Sequence, residues 1–320
     1  MRLALIGYGN VGKAFARLLE SRRSAFPFRI VAAHTARHGT AYSERGLAVE
    51  PEFGPAAASI EEFFERARAE VVVEITTLNP STGEPALSYI RSAISRGLHV
   101  ITANKGPIAH AYAELRDAAT LAQVCFRFES TVMDGAPVFN MVRNNLPGVR
   151  VSGFTGVLNS TSKVVISALG EGLTMEEGIR RAQEMGIAEA DASYDIDGWD
   201  SAAKTAALAN VLLDARVTPL EVDRRGIGRL TPERVQALAA QNKTVALVSR
   251  AKSNPGGVKL RVRAEVLDAT DLLASVKGTS NLLLLHTDLM GTVGTVSISP
   301  GVEQTAYGLF SDLVDIAKTL

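Results

Sequence analysis

The sequence predicts an α/β protein of two domains, a mostly parallel sheet flanked by helices and then an α+β unit with a mixed or antiparallel sheet. Three observations carry that prediction. Short apolar runs alternate with helical patterns through the first 130 residues, the arrangement that connects parallel strands. A glycine-rich turn joins the first apolar run to the first helical pattern. Between residues 244 and 299 the helical patterns stop, and strand-like runs follow one another: TVALVS, GVKLRVRAEV, NLLLLHTDL and GTVGTVSIS.

The first run, Arg2–Ile6, reads RLALI, apolar enough for a strand buried on both faces. Gly7-Tyr8-Gly9-Asn10-Val11-Gly12 follows, and then KAFARLLES in helical pattern. GxGxxG alone says little; between a strand and a helix it is the fingerprint of a dinucleotide-binding Rossmann domain. Gly7 permits the tight turn, Gly9 lets backbone approach a pyrophosphate, and Gly12 lets the helix pack on the strand. The helix start adds unpaired N–H groups for the phosphates. The bland alternative is a glycine-rich turn that binds nothing.

The second strand, residues 28–33, runs into His34-Thr35-Ala36-Arg37-His38. It lacks the Asp or Glu that would bind the ribose diol of NAD. Arg37 and His38 suit a 2′-phosphate, which favours NADP over NAD, although Arg37 also fits a solvated loop. The third strand, residues 71–76, ends at Thr76 with Thr77 beyond it; a helix is expected over 84–96. The fourth, residues 99–103, ends in Asn104-Lys105-Gly106-Pro107. Ligands of open α/β sheets bind beyond the carboxyl ends of strands, which puts Thr76, Thr77 and Lys105 near an expected nicotinamide. A lysine there is equally at home on a surface. A helix over 110–123 and a strand over 124–128 complete the alternation. Cys125 reads as core, since a reactive thiol needs surroundings that stabilise thiolate.

The dinucleotide-binding domain is therefore expected over 1–130, and the polar stretch ESTVMDGAP, residues 129–137, marks its exit. A substrate-binding and dimerisation domain is expected over 131–300. The amphipathic segment 301–320, after Pro300, is expected to pack back on the first domain, with Gly301 counted among the cofactor-binding residues.

In the second domain, residues 149–158 alternate as a strand does, and Asn159-Ser160-Thr161-Ser162 opens a helix. Thr174 with Glu177 forms a capping box, and Thr231-Pro232 starts another helix. The organising stretch is residues 186–204, GIAEADASYDIDGWDSAAK. It holds Glu189, Asp191, Asp195, Asp197, Asp200 and Lys204. From Trp199 the helical pattern has no charged face, so this helix is buried. Asp200 and Lys204, four residues apart, share one side of it. A buried ion pair is costly to desolvate and marks functional sites, although a structural pair tying helix to loop would look the same.

Composition excludes several classes. The chain of 320 residues balances 34 basic against 34 acidic side chains, without the basic excess of a nucleic-acid or membrane-surface protein. No apolar run approaches a bilayer span, and the N-terminus enters a strand with no room for a signal peptide. One cysteine makes neither an internal disulfide nor a zinc site, so a cytoplasmic location is expected. Apolar strands in the second domain hint at sheet burial between the subunits of a homodimer.

The chain resembles the homoserine dehydrogenases, in their short form without a C-terminal regulatory domain. The carriers are GYGNVG at Gly7, TANKGP at Thr102, ESTVMDGAP at Glu129, GVLNSTS at Gly156, the acidic stretch at Gly186 and ASVKGTSN at Ala274. The resemblance implies NAD(P)-linked interconversion of homoserine and aspartate semialdehyde. It implies catalytic lysines at Lys105 and Lys204, and substrate carboxylates at Glu189, Asp195 and Asp200. It also implies a monovalent cation, Na+ or K+, held by Glu129, Val132, Asp134 and Ala136. The family usually has glycine at the position of Ser160, tyrosine at Ile187 and proline at Ala192; Lys163 is also unusual. Ser160 and Ile187 fall in the implied substrate pocket.

The chemistry of the residues agrees with that implication. Carboxylates are natural partners for the ammonium of an amino-acid substrate, and Thr161 adds a hydroxyl. Reducing an aldehyde leaves an alkoxide, for which Lys204 and Lys105 can supply charge and a proton. A dehydrogenase that phosphorylates its substrate would need a cysteine nucleophile, and Cys125 sits inside a strand pattern. The remaining rivals are a related dehydrogenase of another amino-acid-like alcohol and a non-catalytic NADP-binding sensor.

Overall fold

The structure, a computed structural model, describes residues 1–320 in two compact units, Met1–Asn140 with Gly301–Leu320, and Met141–Pro300. The first unit contains β1 (Arg2–Ile6), α1 (Asn10–Ser21), β2 (Arg29–Thr35), β3 (Gly39–Tyr42), α2 (Ile60–Ala67) and β4 (Val71–Glu74). It continues with α3 (Ala86–Ser95), β5 (His99–Thr102), α4 (Lys105–Leu121) and β6 (Phe126–Arg127). Helix α5 (Phe139–Asn145) crosses the division.

The first sheet has the order β3-β2-β1-β4-β5-β6, parallel except for the edge strand β3. The order reverses between β1 and β4, so the carboxyl ends of those strands flank the crevice where such sheets bind ligands. The fully buried runs Leu3–Leu5 and Val71–Val73 explain why these strands read as unbroken apolar segments.

Several boundaries differ from the sequence reading. The strand expected to reach Thr76 stops at Glu74, because the Glu74 carboxylate accepts the Thr76 N–H at 2.8 Å and turns the chain. The helix expected from His110 begins at Lys105, since the Asn104 side chain caps it by accepting from the Gly106 N–H at 3.0 Å; such a cap contributes about 1 kcal/mol. Cys125 lies just before β6, not within it. The unit runs on to Asn140 because the Glu129 carboxylate accepts the amides of Val138, Phe139 and Asn140, at 2.5, 2.9 and 2.5 Å.

The second unit contains β7 (Val151–Val157), α6 (Ser160–Gly170), α7 (Met175–Glu184), α8 (Ser193–Ile196), α9 (Trp199–Leu212), β8 (Asp223–Arg225) and α10 (Pro232–Ala239). Then come β9 (Lys243–Asn254), β10 (Gly257–Asp268), β11 (Asn281–Thr287) and β12 (Thr292–Ser297). The sheet order is β12-β11-β7-β9-β10-β8, antiparallel except for the short parallel pair β10–β8, so it is a mixed sheet. Helix α9 packs on β9 and β10 and buries ten consecutive-turn positions from Asp200 to Asn210. The final helix α11 (Val302–Thr319) belongs to the first unit, where Leu309, Leu313 and Ile316 join the core formed by α1 and β1.

Candidate active site

In the first unit the glycine turn has the shape that a dinucleotide needs. Gly7 has φ +96°, and a Cβ there would lie 2.5 Å from the Ile75 carbonyl oxygen, so only glycine fits. A Cβ on Gly9 would instead point into open space, which leaves the backbone accessible at the start of α1. That helix has no side-chain cap and no acidic residue in its first turn, which suits its N–H groups and dipole to an anion. Tyr8 is buried, its hydroxyl donating to the Val49 carbonyl at 2.9 Å; burial, and then Glu50, push the phenol up to about 12.

Beyond β2, Arg37 and His38 are both exposed. The Thr35 hydroxyl accepts the His38 N–H at 2.8 Å, which fixes the turn that presents them. At the end of β5, Asn104 donates its own N–H to the Thr102 hydroxyl at 2.9 Å and caps α4, so Lys105 is the first residue of that helix. Thr76 and Thr77 close β4's end, Thr77 exposed. Gly301 precedes α11, its N–H donating to the Gln304 side chain at 2.8 Å.

The loop expected to hold a cation is buried at Glu129, which is 2 % exposed. Both oxygens of its carboxylate accept backbone amides of residues 138–140. The carboxylate therefore acts as a clamp on the chain. Ligands for a cation here would be carbonyl oxygens of the turn through Val132, Asp134 and Ala136, where Asp134 and Gly135 have φ +53° and +93°.

The acidic stretch of the second unit divides in two. Glu189, Asp191 and Asp197 are exposed, and the Asp191 carboxylate merely caps the Ser193 N–H at 2.9 Å. Asp195 and Asp200 turn inward. Asn159 joins them, its Nδ2 donating to Asp195 at 2.5 Å and to Asp200 at 2.9 Å. The Asn159 Oδ1 accepts the Ser162 N–H at 2.7 Å and so caps α6. The Thr161 hydroxyl donates to the second Asp195 oxygen at 3.0 Å. Lys204 lies 3.2 Å from Asp200 and donates to the Leu158 carbonyl at 2.7 Å. Burial, and then the Asp200 charge, raise the Asp195 carboxyl above its ordinary value; Asn159, Thr161 and Lys204 oppose that.

The loop between α8 and α9 is strapped in place. Gly226 approaches so closely that a Cβ would lie 2.0 Å from the Ile196 carbonyl oxygen. The Ile227 N–H donates to that carbonyl at 2.8 Å, and the Arg224 guanidinium donates to the Asp197 carbonyl while lying 3.7 Å over the Trp199 ring.

Known proteins resemble this chain in sequence and fold. The sequence pattern of the homoserine dehydrogenases matches residues 137–314, more than half the chain, and that of the homoserine dehydrogenase NAD-binding domain matches residues 7–129. The chain belongs to the homoserine dehydrogenase family. It is 34 % identical to an NAD(+)-dependent homoserine dehydrogenase of Pseudomonas canavaninivorans, over 99 % of this chain and 96 % of that one. It is also 34 % identical to the homoserine dehydrogenase of Methanocaldococcus jannaschii, over 99 % and 98 %. The solved homoserine dehydrogenase of Thermoplasma acidophilum superposes with a TM-score of 0.87 at 25 % identity, covering 99 % of each chain. That of Thiobacillus denitrificans superposes at 0.86 and 28 %, covering 99 % of this chain and 73 % of its own.

Of the residues that the homoserine dehydrogenase resemblance singles out in the second unit, the structure brings Thr161, Asp195, Asp200 and Lys204 together. Glu189 is exposed and only its carbonyl is bonded, to Gln183 at 3.1 Å. Ile187 is half-buried, and the Ser160 hydroxyl donates to the Thr279 carbonyl at 3.2 Å. Sequence reasoning missed Asn159 as the hub; an Asn before a helix signals a cap, and nothing marks its second role. It also missed Tyr194, whose hydroxyl is buried without a hydrogen-bond partner and whose phenol is raised by burial and then by Asp200 and Asp195.

Proposed function

We propose that this chain interconverts L-homoserine and L-aspartate 4-semialdehyde by hydride transfer with a nicotinamide cofactor, a step of threonine and methionine biosynthesis. The observation that carries this is Asp195. It is a half-buried carboxylate whose two hydrogen-bond partners, Asn159 and Thr161, are neutral. A substrate ammonium is the cation such a group favours. Family membership sets the reaction class, and the cluster supports the substrate class.

The residues divide the work. Asp195 and Asp200 receive the ammonium, with Thr161 beside them, and Glu189, Ser160 and Ile187 border the substrate in the family correspondence. Lys204 holds a proton at Nζ, polarises the aldehyde oxygen and protonates the alkoxide; in the other direction it takes the hydroxyl proton. Lys105 is the second catalytic lysine in the family correspondence. Gly7 to Gly12 would hold the pyrophosphate, and Thr76, Thr77 and Gly301 would complete the cofactor site. The bound cofactor supplies the hydride acceptor or donor; the protein supplies orientation and field.

Arg37 and His38, exposed beyond a strand end with no carboxylate, support NADP as the preferred cofactor. The NAD(+)-dependent relative from Pseudomonas favours NAD as the second reading. A monovalent cation, Na+ or K+, is proposed at the carbonyls of Glu129, Val132, Asp134 and Ala136. Exchange of the monovalent salt at constant ionic strength tests it, and equal activity and stability in a bulky organic cation would dismiss it. A homodimer is proposed through the second unit, where Val296 and Ile298 are exposed at strand β12 and just past it; sedimentation tests it. A cytoplasmic site of action fits the single cysteine. The activity itself is tested by following reduced cofactor with aspartate semialdehyde, and turnover only with another aldehyde would point to a related dehydrogenase.

A further inference from the structure

Glu74 is the last residue of β4 and is 0 % exposed. Its strand lies beside β1 where the sheet order reverses, in register with Ile6 immediately before the glycine turn. It is therefore a buried carboxylate at the strand ends that border the ligand crevice of such a sheet. Three donors converge on it. The Thr76 N–H and hydroxyl reach Oε1 at 2.8 and 2.5 Å, and the Thr102 hydroxyl reaches Oε2 at 2.7 Å. All three donors are neutral. Burial raises the carboxyl pKa, and the hydrogen bonds from Thr76 and Thr102 lower it.

A fully buried carboxylate among neutral donors destabilises a fold compared with an uncharged group of the same shape. Volume alone gives no reason for charge here, although the donors on both oxygens favour a carboxylate over an amide. The same network reaches the turn bearing Lys105. The Thr102 hydroxyl that donates to Glu74 accepts from the Asn104 N–H at 2.9 Å, and the Asn104 amide reaches the Thr76 carbonyl at 3.4 Å. Glu74 thus ties together the two loops that follow β4 and β5.

We propose that Glu74 is an electrostatic positioning residue of the cofactor site, whose buried negative charge favours the oxidised, cationic nicotinamide over the reduced, neutral ring. This rests on the reading of the glycine turn as a dinucleotide site. A charge surrounded by protein is poorly screened, so it acts on a bound ring without touching it. Glu74 sets the balance between the two redox forms of the cofactor, while the glycine turn, common to both forms, supplies the main affinity.

The test is a pair of dissociation constants, for oxidised and reduced cofactor, measured by titration calorimetry on the full chain and on Glu74→Gln near pH 8. In the variant, binding of the oxidised form is expected to weaken relative to the reduced form by roughly 3- to 30-fold, the span of one charge acting through an effective dielectric between water's and a protein surface's. Thermal stability is measured alongside: glutamine places an NH2 donor where one carboxylate oxygen accepts, so a loss of stability reports the structural share of Glu74, and the shifted ratio alone carries the proposal. In the wild-type protein the preference for the oxidised form should fade as pH falls through the raised carboxyl pKa, a readout that requires no variant to fold. An unchanged ratio in Glu74→Gln, or a pH-independent ratio in the wild type, overturns the proposal. If neither form binds the wild-type chain, the dinucleotide reading fails and the role of Glu74 fails with it.

Discussion

The ammonium of Lys204 donates to the carbonyl oxygen of Leu158 over 2.7 Å. That bond fixes a helix side chain against the residue that follows β7 and precedes the Asn159 hub. It holds the lysine beside Asp200 and aimed at the carboxylate cluster. Replacing Lys204 with Ala is expected to lower turnover on the order of 10²–10⁴-fold, the range of a positioned acid or base, with cofactor binding retained. It should also destabilise the fold by roughly 3–5 kcal/mol by leaving Asp200 buried without its lysine. The double change Asp200→Asn with Lys204→Met separates the two effects. Stability should return and turnover should not; an active double variant would make the pair architectural.

Tyr194 offers a second probe. Its hydroxyl is buried beside two carboxylates with no protein partner. If it donates to the substrate, Tyr194→Phe should raise the Michaelis constant for homoserine by about 2- to 10-fold, the worth of one neutral hydrogen bond. The melting temperature should stay level or rise, since an unsatisfied polar atom is removed. An unchanged Michaelis constant would leave the phenol without a role in binding.

Asp195 gives the site a pH dependence. Its folded pKa is raised above the ordinary 3.8 by burial and then by Asp200. The folded state therefore holds this proton more tightly, and stability declines as pH rises from the ordinary value through the raised one. Asp195→Asn should consequently be more stable than the parent at neutral pH, an advantage that disappears on acidification. Substrate binding runs the other way, because only the ionised carboxylate pairs with an ammonium. The Michaelis constant for homoserine should climb as pH falls through the raised pKa, and a curve unchanged in Asp195→Asn would refute the assignment.

Arg37 is the residue expected to discriminate between the two cofactors. Arg37→Ala is expected to raise the Michaelis constant for NADPH while leaving that for NADH nearly unchanged, because only the 2′-phosphate needs the guanidinium. Equal weakening of both would show that Arg37 does not discriminate.

Much of this was legible in the sequence where period and punctuation coincide. RLALI followed by GYGNVG fixes strand, turn and helix together, and the lack of charge between Lys204 and Asp214 marks α9 as buried. The acidic stretch was legible as a site but not in its division. Pattern alone cannot tell that Asp195 and Asp200 turn inward while Glu189 stays out, because a loop strapped by Gly226 and Arg224 makes that choice. Strand β3 escaped because GTAY carries little apolar signal, and Gly39 at φ +85° reverses the chain beside residue 54. The start of α4 escaped because Pro107 lies inside its first turn, where a missing N–H costs nothing. Glu74 escaped because the strand reading runs through it to Thr76, and its meaning depends on Thr102 in the neighbouring strand.

The most direct measurement follows NADPH oxidation by the purified chain with aspartate semialdehyde, alongside Lys204→Met. Steady turnover in the parent, nearly abolished in the variant while NADPH still binds, is the expected result. Tight NADPH binding by the parent with no turnover of this aldehyde would contradict the proposed reaction.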